Sequence, residues 1–145
     1  MIILASDHAG FLLKEKLKKY FKKQNISFID VGANEIIPDD DYPDYAKKAT
    51  ELVLSDEKNK GVFICGTGIG MAISANKVKG IYASNITSVK FSRLAASHNH
   101  INVITLSGRF TSFNKAKKII STFLNTKKEE GRHKRRIEKI EQKPL

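Results

Sequence analysis

The single cysteine of this 145-residue chain stands where an apolar run meets a cluster of glycines. Gly61-Val62-Phe63-Ile64-Cys65 is continuously apolar, leads into Gly66-Thr67-Gly68-Ile69-Gly70, and is followed by the small, alanine-containing stretch Met71–Lys77. Strand, glycine turn and helix in immediate succession put bare backbone N–H groups at a helix N-terminus, which favours an anion. A thiol facing that N-terminus gains thiolate character and can act as a base or nucleophile. A lone cysteine in a strand is also an ordinary small hydrophobe, and the adjoining glycines favour the catalytic reading of Cys65. The loop lacks the Lys of a Walker P-loop and has G-x-G-x-G in place of the dinucleotide G-x-G-x-x-G. Met71 stands where a cysteine phosphatase would close its loop with Arg.

Four other polar groups fall at positions suited to chemistry. Asp7-His8 follows the first apolar run and precedes Gly10, although Asp7 could serve simply as a helix cap. His98-Asn99 closes a predicted helix, where a histidine is also stabilised by the macrodipole alone. Arg109 follows Gly108 at the end of the last predicted strand. Arg132 and Arg136, one turn apart, would present two guanidinium forks to a phosphate, or form part of a solvated face. Asp7, His8, His98 and His133 could be imagined as metal ligands, but their sequence-adjacent pairing is not the spaced kind that grips zinc, so no metal is expected.

These residues need a scaffold, and the pattern supplies one. Apolar runs at Ile2–Ala5, Ile26–Val31, Gly61–Cys65, Ile81–Ser84 and Asn102–Thr105 predict five strands. Between them lie predicted helices: one after Gly10 (Leu12, Leu13, Leu17, Tyr20, Phe21), one over Asp44–Leu54 led by Pro43, and Met71–Lys77. Two more follow, over Ser88–Ser97 with Thr87 as cap and over Asn114–Leu124. Strict alternation predicts a single-domain α/β fold, Rossmann-like, with a doubly wound five-stranded parallel sheet in an α/β/α sandwich. Ligands of such sheets bind beyond the carboxyl ends of the strands, where Asp7, Cys65 and Arg109 fall.

The domain is expected over residues 1–126, with 127–145 as a C-terminal helical tail of the same domain. Lys127–Glu141 is nearly all charged, with Ile137 and Ile140 as its main apolar residues, too thin a stripe for an isolated helix. The tail is therefore expected to dock on another surface, such as a partner subunit. The net charge of +11 suits nucleic acid, an acidic surface or a phosphorylated metabolite. Much of it lies on the first helix (Lys14, Lys16, Lys18, Lys19, Lys22, Lys23), read as a solvated face. One cysteine excludes an internal disulfide framework and suits a reducing cytoplasm. No run approaches the ~20 apolar residues of a membrane span, and the N-terminus lacks a signal-peptide layout.

Taken together, Asp7-His8-Ala9-Gly10, Asp41-Tyr42-Pro43-Asp44-Tyr45-Ala46, Ile64-Cys65-Gly66-Thr67-Gly68-Ile69-Gly70 and Ser74-Ala75-Asn76-Lys77 carry a resemblance, joined by His98-Asn99 with Asn102-Val103 and by Gly131-Arg132-His133 with Arg136. In order and spacing they resemble the family of ribose-5-phosphate isomerase B, which also holds galactose-6-phosphate isomerase subunits. The resemblance spans essentially the whole chain. It implies an intramolecular oxidoreductase of the non-oxidative pentose phosphate pathway that interconverts ribose 5-phosphate and ribulose 5-phosphate through an enediolate, without a cofactor. It further implies Cys65 as base, with Thr67 and the N–H groups of Gly66, Gly68 and Gly70 on the oxyanion. Asp7 would handle hydroxyl protons and His98 would open the ring, with Asn99 and Tyr42 lining the site. His8, Arg109, Arg132 and Arg136 would hold the phosphate. Family members are homodimers, sometimes paired into tetramers, whose sites draw on both subunits.

Two positions depart from the family pattern. His98-Asn99-His100 stands where the third residue is commonly Asp, removing a carboxylate near His98, and Tyr82 stands where Arg often follows Gly-Ile. Both bear on substrate preference, which leaves a six-carbon sugar phosphate (allose 6-phosphate or galactose 6-phosphate) as an alternative. A basic nucleic-acid-binding protein is a third reading, supported only by the charge; stacking aromatics among the basic runs are scarce, and no nucleic-acid or membrane partner is expected.

Overall fold

The computed structural model describes residues 1–141; the last four positions of the expected 127–145 tail lie outside the described residues. The elements alternate as β1 (Ile2–Ser6), α1 (Phe11–Lys23), β2 (Phe28–Asp30), α2 (Tyr42–Leu54), β3 (Lys60–Cys65), α3 (Ile69–Asn76), β4 (Ala83–Asn85), α4 (Val89–Asn99), β5 (Val103–Ser107), α5 (Phe113–Asn125) and α6 (Arg132–Ile140). All strands are parallel in the order β2-β1-β3-β5-β4. Strand order reverses direction between β1 and β3, the switch point at which such sheets open a crevice.

The sheet is apolar on both faces because helices cover both. Leu13, Leu17 and Phe21 of α1 pack with Ala96 of α4 and Ile119 of α5 over Leu4, Ile64 and Ile104. On the other face Ala46, Ala49 and Val53 of α2 and Met71 and Ala75 of α3 cover Ile3, Phe63, Cys65 and Val103. Leu17 and Phe21 are wholly buried, worth about 1.5–3 kcal/mol each. The result is the three-layer α/β/α sandwich expected from the alternation.

Several local expectations need correction. Leu12, placed on the apolar stripe of α1, is 65% exposed. Lys14, read as solvated, is fully buried, with Nζ 2.6 Å from Asp30 Oδ2 and 3.0 Å from Glu15 Oε1. Lys18 also reaches Asp30 at 2.6 Å. Burial pulls the Asp30 carboxyl upward, but the hydrogen bonds from both lysines outweigh it and leave it below the usual range. The cap of α4 is Ser88, whose Oγ accepts from the Phe91 N–H at 3.2 Å, not Thr87. Helix α3 begins at Ile69, earlier than expected, because Gly68 takes the left-handed φ of 83° that turns the chain.

The tail is helical only from Arg132, and none of the residues of α6 is buried. It is nonetheless tied to its own chain at α4. The Glu129 N–H donates to the Ser97 carbonyl at 2.8 Å, and the Tyr82 hydroxyl donates to Glu141 at 2.7 Å.

Candidate active site

The carboxyl ends of the three central strands meet backbone to backbone. Ser6 is paired with Ile64 and Cys65 with Ser107, so the β1, β3 and β5 loops leave the sheet at one level. A Cβ on Gly10 would overlap the Ile64 carbonyl, and one on Gly108 the Ala9 carbonyl. The β5 loop is stitched to the glycine loop: Gly108 N–H to Cys65 O at 2.8 Å, Arg109 N–H to Gly66 O at 3.2 Å, and Ser107 Oγ to Gly66 O at 2.6 Å. From the other side Thr105 donates its hydroxyl to Gly68 O at 2.7 Å.

Above these loops lies a crevice of about 430 Å³ lined by Asp7, His8, Tyr42, Cys65, Gly66, Thr67, Gly70 and Arg109. Cys65 Sγ accepts the Gly68 N–H at 3.2 Å, so the sulfur faces the first turn of α3 as the sequence implied. Thr67 is exposed, and its Oγ1 accepts the Ile69 N–H at 3.2 Å. The Tyr42 ring lies over Gly70 and the Arg109 guanidinium over Gly66.

Asp7 is not the N-cap of α1, a place taken by Gly10 without a side-chain hydrogen bond. Its Oδ1 accepts the Gly10 N–H at 3.1 Å, closing the turn before α1, and the residue still lines the crevice. Burial pushes its carboxyl above the usual range, against the pull of that hydrogen bond and of His8. His8 has a partner the sequence reading overlooked. Asp40 Oδ1 lies 2.6 Å from its Nδ1 and 3.0 Å from its backbone nitrogen, and Tyr45 donates to Asp40 Oδ2 at 3.0 Å. The Asp40 hydrogen bond raises the His8 imidazole above its ordinary value, against desolvation. The polar loop Asp39-Asp40-Asp41 showed acids, but nothing in its spacing indicated which would turn inward.

His98, Asn99, Arg132 and Arg136 do not line this crevice. In a parallel sheet the helices run back against the strands, so α4 ends just before β5 begins. His98 and Asn99 thus lie at the amino edge, and the strand separating them from the crevice spans roughly 13 Å. His98 instead meets His133 of α6, rings stacked with centroids 4.1 Å apart and planes at 4°. With Glu129 they form a group whose ligand atoms lie within 4.8 Å, as do Asp7, His8 and Asp40. Folding thus joins His98 and His133 across 34 intervening residues. No helix among the described residues is long and apolar enough to cross a membrane.

Residues 2–140 match the Ribose/Galactose Isomerase family. The chain belongs to that family. It is 41% identical over 140 residues to a probable ribose-5-phosphate isomerase B of Mycoplasma genitalium, covering 96% of this chain and 92% of the relative. It is 35% identical over 141 residues to ribose-5-phosphate isomerase B of Escherichia coli, covering 96% and 93%. Among solved structures, a ribose 5-phosphate isomerase from Thermotoga maritima superposes with a TM-score of 0.92 at 46% identity, covering 96% and 95%. The Mycoplasma genitalium enzyme with bound ribulose-5-phosphate gives 0.91 at 41%, covering 96% and 92%. The five-stranded Rossmann-like architecture is that of these enzymes, and the chain is a sugar-phosphate isomerase.

Proposed function

We propose that the chain interconverts D-ribose 5-phosphate and D-ribulose 5-phosphate, the step this reaction occupies in the non-oxidative pentose phosphate pathway, through an enediolate. The observation that carries this reading is the Gly68 N–H on Cys65 Sγ at 3.2 Å, inside a crevice that also holds Asp7, His8 and Arg109. A relative crystallised with ribulose-5-phosphate at 41% identity supports the pentose over six-carbon sugars.

In the aldose-to-ketose direction the Cys65 thiolate removes the C2 proton, and the C2–H electrons form the C1–C2 double bond as O1 takes the negative charge. Backbone N–H groups of Gly66, Gly68 and Gly70, with the Thr67 hydroxyl, hold that oxyanion; preorganised donors of this kind are usually the largest catalytic contribution. The proton returns at C1 while O2 loses its own, giving the C2 carbonyl. Asp7, its carboxyl raised by burial, carries the hydroxyl protons. His8 and Arg109 provide positive charge for the phosphate.

The same reading assigns His98 to ring opening, Asn99 to substrate contact, and Arg132 and Arg136 to the phosphate. Since all four lie away from this chain's own crevice, we assign them to the crevice of a second copy in a homodimer. Ile69, Ile73 and Phe110, 55%, 58% and 79% exposed beside the crevice mouth, give that second copy an apolar surface to cover. The test is direct. Purified chain should convert ribose 5-phosphate and leave allose 6-phosphate and galactose 6-phosphate essentially untouched; the reverse preference would overturn the pentose assignment.

A further inference from the structure

Glu129 lies between α5 and α6, and its single carboxylate reaches two imidazoles. Oε1 is 3.5 Å from His98 Nε2 and Oε2 is 3.5 Å from His133 Nε2. The stacking of the two rings fixes the plane of His98. The backbone of Glu129 is held at both ends by the last turn of α4, the turn that carries His98. Its N–H donates to Ser97 O at 2.8 Å, and its carbonyl lies 2.6 Å from His100 Nε2. A carbonyl can only accept, so His100 donates from Nε2. His100 reaches it from the left-handed C-cap of α4, at φ 50°.

Position 100 is where the carboxylate anticipated beside His98 is missing. The fold brings one in from another segment, and the residue that displaced the acid is the one that anchors it. We propose that Glu129 is the positioning carboxylate of His98 in ring opening, with His100 as its backbone anchor and His133 as the plate against the ring. This rests on the assignment of His98 made above.

The chemistry follows from which nitrogen is engaged. A carboxylate at Nε2 holds the proton there and leaves Nδ1 with its lone pair. Catalytic contacts of this kind are often long before substrate arrives and tighten with it, so 3.5 Å is a starting distance. In ring opening His98 Nδ1 takes the proton of the anomeric O1–H. The C1–O1 double bond forms as the C1–O4 bond breaks, and the imidazolium, stabilised by Glu129, returns the proton to O4. Glu129 touches no substrate atom in this scheme.

Ring opening can be separated from carbon-acid chemistry because ribulose 5-phosphate has no furanose ring to open. In deuterated water the enzyme should place solvent deuterium at C1 of ribulose 5-phosphate using the Cys65 side alone. Glu129→Gln should lower kcat on ribose 5-phosphate by about 10-fold to 100-fold, part of the 10²–10⁴ typical of general acid–base catalysis, and leave C1 exchange unchanged. Glu129→Asp should recover part of the loss, and His100→Ala should lose activity in the same selective way to a smaller extent. Undiminished ribose 5-phosphate turnover in Glu129→Gln, or an equal fall in turnover and exchange, would overturn the positioning role alone. A wild-type chain showing neither turnover nor exchange would overturn the isomerase reading, and this proposal with it.

Discussion

Asp40 Oδ1 engages His8 twice, 2.6 Å from its ring Nδ1 and 3.0 Å from its backbone nitrogen, and so fixes the position of the imidazole and favours its protonated form. The Asp40 hydrogen bond holds His8 above its ordinary 6.5, with Asp7 adding to the effect and Arg109 opposing it. Burial pulls Asp40 up, but the His8 and Tyr45 hydrogen bonds outweigh it and leave it low. A raised histidine contributes stability that is complete below its unfolded value and is lost as pH rises through the folded one. The depressed Asp40 contributes above the ordinary carboxylate range and loses its contribution as pH falls through its lowered value. If the His8 cation holds the phosphate, KM for the sugar phosphate should climb on the alkaline side. Asp40→Asn should move that climb to lower pH; a KM profile identical to wild type would remove His8 from phosphate binding.

Cys65→Ala should lower kcat by about 10²–10⁴, the usual cost of a lost general base. Thermal melting should fall only modestly, because Cys65→Ala removes a single sulfur atom from its cluster. An alanine variant with near-normal turnover would transfer the base role to another residue.

Lys14 gives a stability prediction independent of catalysis. Its Nζ is fully buried against Asp30, so Lys14→Met strands a mostly buried carboxylate that keeps only Lys18 and the Gly32 N–H. Denaturant unfolding should show a loss of about 3 kcal/mol, the low end for breaking one side of a buried pair. Neutralising the partner as well, in Lys14→Met/Asp30→Asn, should recover much of it.

The trans assignment of the tail is tested by mixing two dead chains. A chain lacking residues 131–145 and a Cys65→Ala chain should each be inactive. Together, after subunit exchange, they should regain one working site per heterodimer, pairing an intact Cys65 with the other chain's Arg132 and Arg136. A silent mixture with proven exchange would return the arginines to their own chain.

Exhaustive chelation should leave the rate unchanged, since every step above is carried by side chains and backbone donors. Loss of turnover in EDTA, restored by one divalent ion, would turn attention to His98, Glu129 and His133, whose ligand atoms lie within 4.8 Å.

The five parallel strands and the end of the sheet that holds the crevice were legible because they depend on short-range signals. Apolar runs without alternation gave the buried strands, and the glycines after Cys65 gave the turn that aims Gly68 at the sulfur. What escaped depends on long-range pairing. Lys14 looks like any other lysine of α1 until Asp30 arrives from β2 to neutralise it. Asp40 is one of three consecutive acids, and only the fold of the loop selects the one that meets His8. Glu129 lies in a charged stretch with no periodicity, so its position beside His98 has no counterpart in local pattern.

The backbone contacts at Gly10 and Gly108 also limit what descent can do with this enzyme. Where any side chain would collide with a carbonyl of the neighbouring loop, substitution, insertion and loop grafting are closed routes, since all three loops would have to shift at once. Variation in substrate range must therefore accumulate at the rim, at residues such as the half-exposed Ile73, where a side chain can change without meeting backbone. Relatives with different sugar preferences should share the floor of the crevice atom for atom and differ in its walls.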